Sequence, residues 1–295
     1  MSERKIIISC ESTIDMPYAE MQARSIPVLF YKYTVGDAEF EDDMCRTEGF
    51  MDGFYKSLEA GDLPHTSQIN QYAYTEYLEK LLEEGDVIHL AFGSGMTKSV
   101  NNGIAAAAEL NEKYPDRKVV VIDSLCSSCG YGLLVKIAAD MRDEGRDMEE
   151  IVNRVTYLST RVHHQFFSTD LSHYRRSGRM SGPAAAIGTI LNICPIMRLD
   201  KGGHIIAYTK VRGKKAAIER TIEEMTAHAV NGAAYDGPCC LVNSACPELA
   251  EQTRERLQAA FPNVKEIPIY DIGTIIASHC GPGTCAVFFL GDERP

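Results

Sequence analysis

IHLAFGSGMTKSV, residues 88–100, runs as an apolar strand, stops in Gly93-Ser94-Gly95 and passes into a helical stretch. Strand, tight turn and helix in that order form the first part of a βαβ unit. At such a bend, backbone N–H groups and a small hydroxyl lie beside a helix N-terminus, whose partial positive charge favours an anion. The stretch alone admits a phosphate, a carboxylate or a plain connection.

Outward from this junction the pattern repeats. Strand-like runs at 4–9, 26–33, 86–92 and 118–123 alternate with helix-period stretches at 70–84, 98–113 and 130–145, which predicts a mainly parallel sheet. Three of these runs end in small polar residues, at Ser9–Thr13, Gly93-Ser94 and Asp123-Ser124, and the carboxyl edge of an open α/β sheet is where ligands bind. Beyond residue 160 the pattern changes. Strand candidates at 164–169, 204–211, 238–244, 264–270 and 284–290 surround amphipathic helices at 214–231 and 247–260, which reads as a second α/β domain with a mixed sheet. The expected organisation is α/β in two domains, 1–160 and 161–295, divided at or just after a helix near 149–161.

The 295 residues, 45% hydrophobic and 24% charged, suffice for a full core. A net charge of −11 argues against nucleic acid or an anionic membrane surface as partner. No stretch reaches the roughly 18 to 20 apolar residues of a spanning helix, and MSERKIIISC leads directly into a strand, so we expect a cytoplasmic protein with reduced cysteines.

Candidate chemistry is sparse. Cys126 and Cys129 have C-x-x-C spacing but sit where a turn enters a buried helix, and Cys239-Cys240 alternates across a strand, so structural cysteines are expected. His163-His164 and His173 have no acid or cysteine at metal-ligand spacing; neither a metal nor a cofactor is expected, and no Walker motif occurs. His279, in ASHCGPGT, stands before a rigid Gly-Pro-Gly turn, and Arg179, in RRSGRMSG, offers a guanidinium fork on a glycine-flanked loop. Each suits a carboxylate or phosphate, and no self-contained catalytic set accompanies them.

Taken in order, IIISCESTIDMP, HTSQIN (65–70), FGSGMTKSVNN (92–102), VIDSLCSSCGYG (121–132), HYRRSGRMS (173–181), LNICPIM, KVRGKKA and SHCGPGT resemble the landmarks of the DegV family of bacterial fatty-acid-binding proteins. The resemblance covers nearly the whole chain. It departs at Glu11, where an aspartate is usual, and at Lys98 and Ser177, where glycines are usual. It implies a three-layer α/β/α N-terminal domain, a C-terminal domain with a mixed sheet, and a long-chain fatty acid between them. Carried over by motif, Thr66, Ser67, Gly93, Ser94, Gly95 and His279 would hold the carboxylate, and Arg179 and Arg212 would supply positive charge at the mouth or toward a partner. AAAIGTILNICPI and IGTIIA would line the acyl tunnel. The resemblance further implies a non-catalytic carrier that presents the carboxylate to an ATP-dependent fatty acid kinase, making acyl phosphate for phospholipid synthesis. The alternative is an enzyme acting on a small phosphorylated or carboxylated metabolite, and a redox role for Cys126 and Cys129 ranks third.

Overall fold

The computed structural model describes residues 5–181 and 192–295; the segment 184–191, expected at the tunnel wall, lies outside them. The strands in chain order are β1 (Ile6–Glu11), β2 (Val28–Leu29), β3 (Lys32–Val35), β4 (Ala38–Glu41), β5 (His65–Thr66), β6 (Asp86–Ala91), β7 (Val119–Asp123), β8 (Val162–Ser168), β9 (Met180–Ser181), β10 (Ile193–Leu199), β11 (Ile205–Arg212), β12 (Cys239–Asn243), β13 (Ile269–Asp271) and β14 (Thr284–Leu290). The helices are α1 (Tyr18–Ala23), α2 (Phe50–Ala60), α3 (Gln71–Leu82), α4 (Ser99–Lys113), α5 (Ser128–Asp143), α6 (Met148–Ser159), α7 (Ser172–Ser177), α8 (Lys214–His228), α9 (Pro247–Ala260) and α10 (Thr274–Cys280).

Among the described residues, the strands form a parallel sheet in the order β2-β1-β6-β7, a mixed sheet β13-β12-β14-β8-β10-β11-β9, and a small antiparallel sheet β4-β3-β5. The central strands β1 and β6 are buried on both faces because helices cover both sides. α5 packs on β1 and also on β8, β12 and β14, making it the spine between the large sheets. One hydrophobic cluster runs through it, from Ile8 and Ile88 to Val242 and Phe288. A second cluster, including Leu241, Val287 and Phe289, lies between the mixed sheet and the helices α8 and α9. Gly130 allows the close approach of α5 to the mixed sheet, since an added Cβ there would collide with the His164 ring and Phe288.

Two strand expectations change. The run 26–33 breaks at Phe30-Tyr31, so that β2 joins the parallel sheet and β3 the small one; the Tyr31 N–H is taken by the Ser12 hydroxyl at 3.1 Å rather than by a strand. The run 264–270 shortens to β13, because Pro268 has no N–H to give a ladder and contributes only its carbonyl, to Leu241 N–H.

The turn after β6 is held from beneath. Glu11, at the end of β1, is completely buried; its carboxylate accepts from the Tyr74 hydroxyl on α3 and from the Phe92 N–H at 2.9 Å. The His89 ring on β6 lies 3.5 Å away. One side chain thus joins β1, α3 and the exit of β6. Glu11→Ala strands a buried phenol and a buried amide, and is expected to lower unfolding free energy by about 3 kcal/mol; Glu11→Gln, which keeps an acceptor, should lose less. Urea denaturation of both variants measures the difference, and equal losses would contradict this role.

Candidate functional site

A cavity lies between the parallel and mixed sheets, with an empty volume of about 1100 Å³ including its opening to solvent. Its floor is β14, where Thr284, Ala286 and Phe288 share one face by strand alternation, beside Phe166 and His164 of β8 and Val242 of β12. Its wall is α10, where Ile275, Ile276 and His279 recur at helical spacing, preceded by Ile272 just before the helix.

α10 is placed by two buried acids of the N-terminal half. Asp15 accepts from the Gly273 N–H at 2.9 Å and from the Ser128 hydroxyl at 2.5 Å, and Asp42 accepts from the Thr274 hydroxyl at 2.7 Å. Burial pushes both carboxyls up, Asp42 to about 6. The helix ends at Gly281, whose φ of 64° favours glycine and turns the chain into β14.

The two ends of the cavity differ. At the Thr284 end, Thr66 of β5 and His279 of α10 are joined, Oγ1 to Nε2 at 2.9 Å, bridging the small sheet and the C-terminal half. Ser67, Gln68, Thr97 and the exposed Arg179 also line the cavity. Four residues along β14, roughly 13 Å, Phe288 pairs with His164, whose Nε2 accepts from the Ser127 N–H at 3.0 Å. Between them the surface is mainly Ile, Phe, Val and Ala. Among the described lining residues Arg179 is the one permanent cation, and there is no carboxylate. Burial, with the Arg179 charge adding to it, pulls His279 down to about 4. At neutral pH this end therefore offers a neutral imidazole, hydroxyls and one guanidinium, a set that suits a single carboxylate.

The geometry brings together Thr66, Ser67, Arg179 and His279, and leaves other expected residues apart. The Gly93 N–H donates to Cys126 O at 3.0 Å, and the Ser94 N–H to Asp123 Oδ1 at 3.0 Å. With Phe92 on Glu11, the amides of this strand end are occupied by internal acceptors, two of them the protein's own carboxylates. Gly95 packs on the Gly202-Gly203 backbone, and none of Gly93, Ser94 and Gly95 lines the cavity. The loop instead presents Thr97, three residues further on, and Met96. Arg212 is exposed at the far end of β11, roughly 23 Å along the strand from the cavity-lining Ile205. Lys98 is exposed at the N-cap of α4. Cys126 and Cys129 are buried thiols donating to separate carbonyls, Ser159 O and Asp15 O, and burial raises both pKa values.

A folded pKa below the unfolded value means that the unfolded chain binds the proton first. His279 therefore contributes stability at neutral pH that is lost as pH falls from about 6.5 to about 4. Asp42, with its raised pKa, acts oppositely over an overlapping window, so the residue itself must be followed. NMR titration should show His279 neutral until pH approaches 4, and Arg179→Gln should move that midpoint upward; a midpoint near 6.5 in the parent chain would contradict the site's electrostatics.

Comparison with known proteins bears on the same cavity. The family model described as "Uncharacterised protein, DegV family" matches residues 5–292. A DegV domain-containing protein of Clostridium perfringens is 33% identical over 292 residues, covering 99% of each chain. Among solved structures, a DegV family protein from Thermus thermophilus, described as fatty acid binding, superposes with a TM-score of 0.86 at 25% identity, covering 97% of this chain and 99% of its own. A fatty acid binding DegV family protein from Streptococcus agalactiae gives a TM-score of 0.80 at 26% identity, covering 99% of this chain and 100% of its own. With its parallel N-terminal sheet, mixed C-terminal sheet and the match along almost its full length, the chain belongs to the DegV family.

Proposed function

We propose that this protein is a cytoplasmic, non-catalytic carrier that binds one long-chain fatty acid between its halves, 1–160 and 161–295, and presents the carboxylate to an ATP-dependent fatty acid kinase. The supporting observation is a cavity with one polar end, at Thr66, His279 and Arg179, joined to a mainly apolar interior. The fatty-acid binding described for the Thermus and Streptococcus relatives supports the same ligand class. In this reading His279 Nε2–H exchanges its bond to Thr66 for one to the carboxylate, Thr66, Ser67 and Thr97 donate hydroxyl hydrogens to it, and Arg179 balances its charge. Ser94 does not line the cavity, and its hydroxyl reaches the head group only if its loop turns.

Magnitudes assign the labour. Burying about 14 methylenes at roughly 0.8 kcal/mol each yields on the order of 11 kcal/mol before ordering costs. Two or three charge-assisted hydrogen bonds add about 1.5 to 3 kcal/mol apiece. The tail thus dominates affinity, and the polar end sets which way the chain enters. A small polar metabolite would leave the Phe166, Ile275 and Phe288 walls uncovered, which disfavours the enzyme alternative. Arg179 is exposed at the polar end, where a kinase would need to reach the carboxylate.

Native mass spectrometry of the purified protein, with lipid extraction, is expected to reveal one fatty acid per chain. Ala286→Leu, which fills the middle of the floor, should shift retention toward shorter acyl chains. Thr66→Val should weaken binding by about tenfold to a hundredfold, the loss of one such hydrogen bond. With ATP and the kinase subunit, hydroxylamine trapping should detect acyl phosphate from the parent and less from Arg179→Gln. Protein that neither retains nor takes up fatty acids would overturn the carrier reading, and binding without acyl phosphate would overturn only the kinase step.

A further inference from the structure

His163 has no acidic neighbour in sequence, but the fold supplies one. His163 projects from β8, His228 is the last residue of α8, and Asp292 follows β14. Asp292 Oδ1 lies 3.1 Å from His163 Nε2 and 3.1 Å from His228 Nδ1, and the three ligand atoms all fall within 4.8 Å of one another. Ligands bound at about 2.0 to 2.1 Å to one tetrahedral ion are separated by about 3.3 Å, so the two Asp–His spacings already match.

The frame around these side chains is rigid. The Asp292 N–H donates to His228 O at 3.0 Å, Val230 N–H donates to Leu290 O at 3.1 Å, and Ala229 and Gly291 form a β-bridge. The His163 ring is held between Phe289 and His228, with centroids 5.0 and 5.1 Å away. Gly291 makes room for it, since a Cβ there would lie 2.7 Å from the ring. On the opposite side of His228, Nε2 faces Glu224 Oε2 at 3.7 Å. A carboxylate behind the non-ligating nitrogen is the usual orienting partner of a metal-bound histidine. Asp292 and His228 are 60% and 29% exposed, which leaves an approach for an ion and room for a water as fourth ligand.

We propose that His163, His228 and Asp292 form a binding site for a divalent transition ion of the zinc class, on the opposite face of β8 from the lipid cavity. Two imidazoles and one carboxylate favour Zn²⁺ or Co²⁺ over Ca²⁺ or Mg²⁺, which prefer all-oxygen sets. On binding, His163 Nε2 and His228 Nδ1 present lone pairs to the ion; the proton of each neutral ring resides on its other nitrogen, where that of His228 points to Glu224. The His228 ring turns to aim Nδ1, as its exposure allows. The ion then pins the chain's last segment to α8 and β8. Two residues beyond Asp292, Arg294 is buried and donates to Leu125 O and Val162 O, both at 2.8 Å, behind the His164 end of the cavity.

Titration calorimetry with ZnCl₂ on chelator-treated full-length protein free of any affinity tag is expected to give one site per chain. Co²⁺ should produce ligand-field bands of a nitrogen and oxygen set without thiolate charge transfer. His228→Gln and Asp292→Asn should each weaken Zn²⁺ binding by more than about tenfold, and Glu224→Gln by about tenfold, while circular dichroism and fatty-acid uptake stay as in the parent. Absence of stoichiometric binding, thiolate bands pointing to cysteines, or affinity unmoved in His228→Gln and Asp292→Asn would overturn the site and leave the three residues as a hydrogen-bonded cluster.

Discussion

A buried carboxylate organises the N-terminal half of this chain. Glu11 has no access to water, so it must be satisfied from within, and its acceptors are spent on Tyr74 of α3 and on the first amide beyond β6. That arrangement fixes where the strand ends and how the following loop departs, and hence which of its residues reach the cavity. The amides that leave this strand end, those of Phe92 and Ser94 ahead of α4, are met by the protein's own Glu11 and Asp123. The loop is thereby anchored at its start, and its cavity-facing positions are Met96 and Thr97.

A second pair of buried acids performs a corresponding task across the halves. Asp15 and Asp42 belong to the N-terminal segment yet hold the start of α10, which carries His279 and two isoleucines of the cavity wall, Ile275 and Ile276. Their raised pKa values express the cost of burying carboxyls with few donors, and that cost is repaid as position rather than as stability. The bond between Thr66 and His279 closes the same gap from the other side. The cavity is therefore a property of the assembled chain: the C-terminal half supplies the apolar floor with His279 and Arg179, and Thr66, Ser67 and Thr97 of the N-terminal half complete the polar end.

Much of this was legible in the chain itself. β6, β7, β14, α3, α4, α5 and α9 fall within a residue or two of the hydrophobic periodicities, because long, regular patterns leave little choice of structure. The short elements β3, β4, β5 and α10 were not legible, since they depend on contacts such as Ser12 with Tyr31 and Asp42 with Thr274. Thr66, Ser67, Arg179 and His279 reach the cavity from motifs far apart in sequence, whereas Gly93, Ser94, Gly95 and Arg212 do not line it. Thr97 escaped notice because the direction of a loop is set by its anchors, here Glu11 and Asp123, and not by its own residues. Asp292 escaped for a similar reason, standing 129 residues from His163.

The account rests on the direction of the ligand: carboxylate at the Thr66–His279 end, tail running along Ala286 toward Phe288. A crystal structure of the protein with palmitate tests this most directly. The expected result is continuous density in the cavity, with the carboxylate within hydrogen-bonding distance of Thr66 and His279 and the chain along β14. A carboxylate at the Ser127–His164 end, or palmitate bound elsewhere on the protein, would contradict the account.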